Sequence, residues 1–141
     1  MSEKNNILKI RLNADTKNLA ELRDRIYEFL SKNGLDEQKI MQVQLVVDEF
    51  CTNIIKYSYQ SDPTKIFEIT IEAIIPRIKI LILDEGEPFD LTKYKAPEIS
   101  EHIKNPHKGG LGIPFIKLFS NNIRYLQLSK NPNKNLTEIL I

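Results

Sequence analysis

Glu49-Phe50-Cys51-Thr52-Asn53 lies near the end of the longest helical pattern in the chain. That pattern runs from about Asp36 to about Tyr57, with Ile40, Val43, Val47, Phe50 and Ile54 recurring at helical spacing to form one apolar stripe. Glu49 and Asn53 project from successive turns of this helix, rotated by roughly 40° from each other. They border the stripe, so a carboxylate and an amide oxygen stand at the rim of the core, a suitable wall for a pocket. A solvated Glu beside a core and an Asn bonded locally would give the same pattern, and the pair alone does not choose.

On the amino-terminal side, Ile7 to Leu12 alternates as a half-buried strand does. Asp15 or Thr16 can cap a helix whose apolar positions are Leu19, Leu22, Ile26, Phe29 and Leu30, closed by Asn33-Gly34. On the carboxyl-terminal side, Ile66 to Ile75 and Arg77 to Leu83 read as two neighbouring strands, rich in Ile and separated at Pro76-Arg77 by a tight hairpin or a sharp bend. Periodicity then disappears from Asp84 to Lys108, a stretch broken by Pro88, Pro97 and Pro106 that reads as a long surface loop. Gly109-Gly110-Leu111-Gly112 opens a short helix with Pro114 in its first turn and Phe115, Leu118 and Phe119 toward the core. Two last strands, about Ile123 to Leu128 and Leu136 to Ile141, flank a turn at Asn131-Pro132-Asn133. Strands and helices are partly segregated and joined by hairpins, which predicts an α+β layer of helices on one face of a mixed, largely antiparallel sheet.

The 141 residues suit one domain, and we read 1–141 as such. A net charge of +1 with Lys and Arg spread along the length gives no basic stripe for nucleic acid. No apolar run approaches a signal peptide or a membrane span, so a cytoplasmic protein without direct membrane contact is expected. Cys51 has no second thiol to pair with and falls inside an apolar pattern, which makes it a small buried hydrophobe. His102 and His107, five apart in a polar stretch, lack the further ligands that zinc would need.

Two glycine-containing turns follow the helix. Asp84-Glu85-Gly86 comes directly after the apolar strand, where a carboxylate can accept a hydrogen bond from a ligand amino group and a glycine lets backbone approach it. An ordinary Asp-Gly turn would look the same. Gly109, Gly110, Leu111 and Gly112 before a helix offer free backbone N–H groups and a positive helix end, the requirements for holding phosphates. The segment lacks the Lys-Ser/Thr ending of a P-loop and the third glycine of a Rossmann turn.

In order and spacing, Glu49-Phe50-Cys51-Thr52-Asn53, Asp84-Glu85-Gly86 and Gly109-Gly110-Leu111-Gly112 resemble the N, G1 and G2 boxes of the GHKL superfamily, and within it the anti-sigma-factor serine/threonine protein kinases. The resemblance implies a two-layer sandwich of Bergerat type, with an N box over about residues 45–57, a G1 box over 84–90, a lid over about 91–108 and a G2 box over 109–112. It implies ATP or ADP as ligand with Mg2+. Glu49 would be the general base, Asn53 an oxygen ligand to Mg2+ and Asp84 the partner of the adenine amino group. Gly86 would lie against the base, and Gly109, Gly110, Leu111 and Gly112 would surround the phosphates.

Pro88 stands where a second glycine is frequent, Tyr57 where a His is frequent, and Ile54 is bulkier than the usual residue after that Asn. The function implied is a kinase that phosphorylates an anti-sigma-factor antagonist and binds a sigma factor in partner switching, with a homodimer also implied. The alternative is a nucleotide-binding partner-switch regulator with little or no kinase activity. A sensor histidine kinase fragment would need an acceptor His on a dimerisation helix, and the first helix contains none.

Overall fold

A computed structural model describes residues 2–4, 6–93 and 112–141 of the chain. The elements are β1 (Ser2–Lys4), β2 (Ile7–Asn13), α1 (Leu19–Lys32), α2 (Glu37–Asn53), β3 (Ile66–Ile74), β4 (Arg77–Asp84), α3 (Gly112–Phe119), β5 (Asn122–Lys130) and β6 (Asn133–Leu140). The strands form one sheet in the order β1-β2-β3-β4-β6-β5. Every pairing in it is antiparallel, with no parallel pair among the described residues.

Strand alternation decides which face meets the helices. Leu8, Ile71, Ile80, Ile139 and Ile123 lie opposite one another across β2, β3, β4, β6 and β5, and the next row is Ile10, Ile69, Ile82, Thr137 and Tyr125. The isoleucines of the central strands in these rows are buried and join Leu22, Ile26, Phe29 and Leu30 of α1 and Ile40, Val43, Val47 and Phe50 of α2 in one core cluster. Each such side chain removed from water contributes about 1.5–3 kcal/mol. The opposite face is polar along β2 and β3, where Lys9 meets Glu68 at 3.1 Å.

The helix ends follow their sequence signals. Asp15 accepts from the Lys17 N–H at 3.0 Å and starts a 3-10 turn, Thr16–Asn18, ahead of α1. Gly34, at φ +82, ends α1 in the left-handed conformation that glycine adopts freely. Asp36 caps α2 through the Lys39 N–H at 2.8 Å. After Asn53 the helix widens into a π turn, Ile54–Ser58, closed by Tyr59 N–H donating to the Ile54 carbonyl. This widening buries both Ile54 and Ile55 and carries Ser58 under the end of β4.

Three expectations change. A strand precedes Ile7, where the polar residues Ser2–Lys4 pair with β2 through the backbone. The loop after β4 is not wholly superficial, because Leu91, opening a 3-10 turn at Leu91–Lys93, is fully buried. In α3 the core face is Ile113 and Ile116, while Phe115 is 46% and Leu118 72% exposed and Phe119 is only partly buried. Nearly every residue of this helix is apolar, so composition could not indicate its buried side, and the i, i+3 pair nearest α2 took it.

Candidate functional site

The inward rows of the sheet turn polar at one end. Asp84, Asn135 and Thr137 are buried at 6%, 1% and 1% exposure, and they are the buried polar side chains of the described residues. Asp84, the last residue of β4, lies directly opposite Asn135 on β6. Its Oδ1 accepts from the Gly86 N–H at 2.9 Å and from Asn135 Nδ2 at 3.1 Å. Both bonds fall on Oδ1, and Asp84 also helps to line a cavity. Burial raises the Asp84 pKa above the ordinary carboxylate value, opposed by the hydrogen bonds from Gly86 and Asn135.

The cavity measures about 260 Å³ and is walled by Phe50, Asn53, Ile54 and Tyr57 from α2 and its π turn, by Pro88 and Phe89 after β4, and by Ile113 of α3, with Asp84 on one side. Ser58 and Glu87 also line it, so mostly apolar walls with the buried Asp84 carboxylate at one side form a slot for a flat ring carrying a donor at one edge. Behind it the turn after β4 is fixed at several points. Glu87 N–H donates to the Ser58 carbonyl at 3.2 Å. The Tyr59 hydroxyl accepts from Glu85 N–H at 2.7 Å and donates to the Ile66 carbonyl at 2.9 Å. Gly86 is pressed against Ser58 and faces a neighbouring polar depression rather than the apolar cavity.

Glu49 stands one helical turn before Asn53, beside the cavity rather than on its wall, with its carboxylate against the backbone of Gly112 at the start of α3. Its pKa is raised, first by burial and then by the neighbouring charge of Asp48, with Lys56 pulling the other way. Asp48 itself is held by Arg23 of α1 at 2.6 Å. The structure therefore gathers Asn53 and Asp84 onto one cavity and sets Glu49 against Gly112 at its edge. Gly109, Gly110, Leu111, His102, His107 and lid residues 94–108 lie outside the described residues. Among the described residues no three His, Cys, Asp or Glu side chains converge as a metal site. Cys51 is fully buried and its thiol pKa is pushed up by burial, as the sequence leads one to expect.

The two glycines should respond differently to alanine. A Cβ on Gly86 would lie 2.8 Å from the Ser58 carbonyl oxygen and 2.7 Å from its Cβ, atoms fixed by the π turn. Gly86→Ala is expected to destabilise the fold by about 1–3 kcal/mol. A Cβ on Gly112 would lie 2.0 Å from Glu49 Oε2 and 2.7 Å from its Cδ, the flexible end of a side chain that can swing away, and 3.1 Å from its Cβ, which needs a yield of only a few tenths of an ångström. Gly112→Ala is expected to unfold within about 1 kcal/mol of the parent while displacing the Glu49 carboxylate. Urea denaturation of the two variants checks the contrast.

Sequence reasoning did not single out Asn135, Tyr125 or Ser58. Asn135 carries no local signal, since its role depends on a partner 51 positions away. The π turn had no signature beyond the helix running on to about Tyr57.

Among the described residues, three helices layered on an antiparallel sheet, with a carboxylate buried at a strand end beside the slot, define an ATPase domain of Bergerat type. The chain belongs to the family of histidine kinase-like ATPase domains, which it matches over residues 12–139. It is 26% identical over 114 residues to the serine-protein kinase RsbW of Bacillus licheniformis, covering 78% of this chain and 71% of that one. To RsbW of Staphylococcus aureus it is 27% identical over 122 residues, 83% and 77% of the two chains. Among solved structures, the SiaB–SiaC complex of Pseudomonas aeruginosa contains a similar chain, with a TM-score of 0.72 at 15% identity over 95% of this chain and 88% of that one. The RsbU and RsbW domains of Rv1364c from Mycobacterium tuberculosis give a TM-score of 0.59 at 14% identity, over 95% of this chain and 31% of that one. No helix among the described residues is long and apolar enough to cross a membrane.

Proposed function

We propose that the chain is an ATP-dependent protein serine/threonine kinase of the anti-sigma type, which phosphorylates an antagonist protein and holds a sigma factor in partner switching. The observation that carries this reading is the Glu49 carboxylate set against Gly112 at the edge of the slot beneath Asp84. Asp84 Oδ2 would accept from the adenine amino group, with Phe50, Ile54 and Ile113 against the ring. Gly112, with Gly109, Gly110 and Leu111 before it, would offer backbone to the phosphates.

Asn53 fits a Mg2+ site in which one amide oxygen supplements phosphate and water ligands, since this ion rarely uses an all-protein cage. Bound there, Mg2+ would neutralise phosphate charge. Glu49 would take the proton of a substrate hydroxyl as its oxygen bonds to the γ-phosphorus and the bond to the bridging oxygen of ADP breaks. The RsbW relatives are named serine-protein kinases, which favours a protein substrate, and the similar chain of the SiaB–SiaC structure belongs to a complex of two proteins, in keeping with a protein partner. A homodimer and a cytoplasmic location complete the reading.

The test is single-turnover incubation with labelled ATP, Mg2+ and the antagonist proteins of the same genome. Label is expected on a serine or threonine of one of them. Binding of ATP without transfer to any antagonist would favour the non-catalytic regulator instead.

A further inference from the structure

Asn135 is almost fully buried, and all of its hydrogen-bonding groups face fixed partners. Nδ2 donates to Asp84 Oδ1 at 3.1 Å and to the Gly86 carbonyl at 3.0 Å, and Oδ1 accepts from the Tyr125 hydroxyl at 2.7 Å. The amide has one workable orientation. Turned over, its oxygen would face a carboxylate and a carbonyl, neither of which has a hydrogen to give. Tyr125, on the edge strand β5, holds it in the working sense by donating to the amide oxygen.

We infer that Asn135, locked by Tyr125, is the positioning residue that makes this site choose a purine bearing an amino group over one bearing an oxo group at the same place. The inference rests on the nucleotide-binding reading above and extends it to residues on β5 and β6. Asn135 and the Gly86 N–H together occupy one oxygen of Asp84 and restrain its carboxylate, so that the other oxygen would meet a ligand in the adjoining cavity at a set angle. Donation from Asn135 also favours the ionised carboxylate, which is acceptor-only. An acceptor-only oxygen pairs with an amino N–H and confronts an oxo group with a second acceptor. Without Asn135, the carboxylate gains rotational freedom and takes up a proton more readily. A protonated Asp84 can donate to an oxo group, and the discrimination fades. The same amide pins the Gly86 carbonyl, so the turn that backs the cavity keeps its place.

ATP and ITP share sugar and phosphates and differ at the position that Asp84 would read, which makes the ratio of their affinities the right measure. Dissociation constants for both, with Mg2+, should be measured for the parent, Asn135→Ala and Tyr125→Phe. The parent is expected to prefer ATP, Asn135→Ala to lower that preference by about tenfold or more, and Tyr125→Phe to lower it by roughly two- to fivefold. Tyr125→Phe removes only a hydroxyl from an edge strand and serves even if Asn135→Ala fails to fold. Equal weakening of both nucleotides, or an unchanged ratio, in the variants would overturn the inference while leaving nucleotide binding intact. A parent that binds neither nucleotide would overturn the reading on which it rests, and the inference with it.

Discussion

Glu49→Gln is expected to slow single-turnover phosphoryl transfer by about a hundredfold or more, with ATP affinity close to that of the parent. Glutamine keeps the shape against Gly112 but cannot take a proton from a hydroxyl, so the loss should fall on the chemical step alone. The pH profile of the parent supplies an independent check. Burial and the charge of Asp48 raise the Glu49 pKa, and a base works only in its ionised form. Transfer should therefore rise with pH through a midpoint above the ordinary Glu range, and this limb should vanish in Glu49→Gln. Asn53→Ala should behave differently, weakening Mg2+-dependent ATP binding together with transfer. Parent-like transfer by Glu49→Gln would remove its catalytic role.

Asp84→Asn should uncouple binding from stability. Replacing the acceptor oxygen in the cavity by an amide N–H turns it against the adenine amino group, and ATP affinity is expected to fall by about ten- to a hundredfold. The fold should not suffer. Burial raises the folded-state pKa of Asp84 above its unfolded value, so its contribution to stability is fully present below the unfolded pKa and is lost as pH rises through the folded one. At pH 7 to 8 the ionised carboxylate is thus a burden on the fold. A neutral asparagine keeps an oxygen for the Gly86 N–H and Asn135 Nδ2. The thermal midpoint of Asp84→Asn at that pH should equal or exceed that of the parent, and a marked fall would show that the carboxylate holds the strand end together instead.

The contrast between what was legible in the chain and what was not follows the range of the interactions. Leu19, Leu22, Ile26, Phe29 and Leu30 of α1 announce their burial because a helix repeats its own environment every turn, and all five are buried. β3 and β4 announce themselves through their richness in Ile, and their burial alternates along each strand. Asp84 stood out as a carboxylate at a strand end and Asn53 as the companion of Glu49 one helical turn on, and the structure brings Asp84 and Asn53 to one cavity. Asn135 could not be read, since its partners come from β4, β5 and the turn after β4 and meet only when β6 enters the sheet between β4 and β5. The contact of Glu49 with Gly112 likewise joins positions far apart in the chain through the docking of α3 on α2. β1 escaped notice because an edge strand of three residues is held by backbone pairing, which leaves no side-chain pattern.

The most direct measurement is the change in backbone amide resonances of the isotopically labelled chain on titration with ADP and Mg2+. The account predicts saturable shifts concentrated in residues 53–58 and 84–89 and at Ile113, around the slot beneath Asp84, and their loss in Asp84→Asn. An absence of shifts at millimolar nucleotide, or saturable shifts confined to residues remote from that slot, would contradict it.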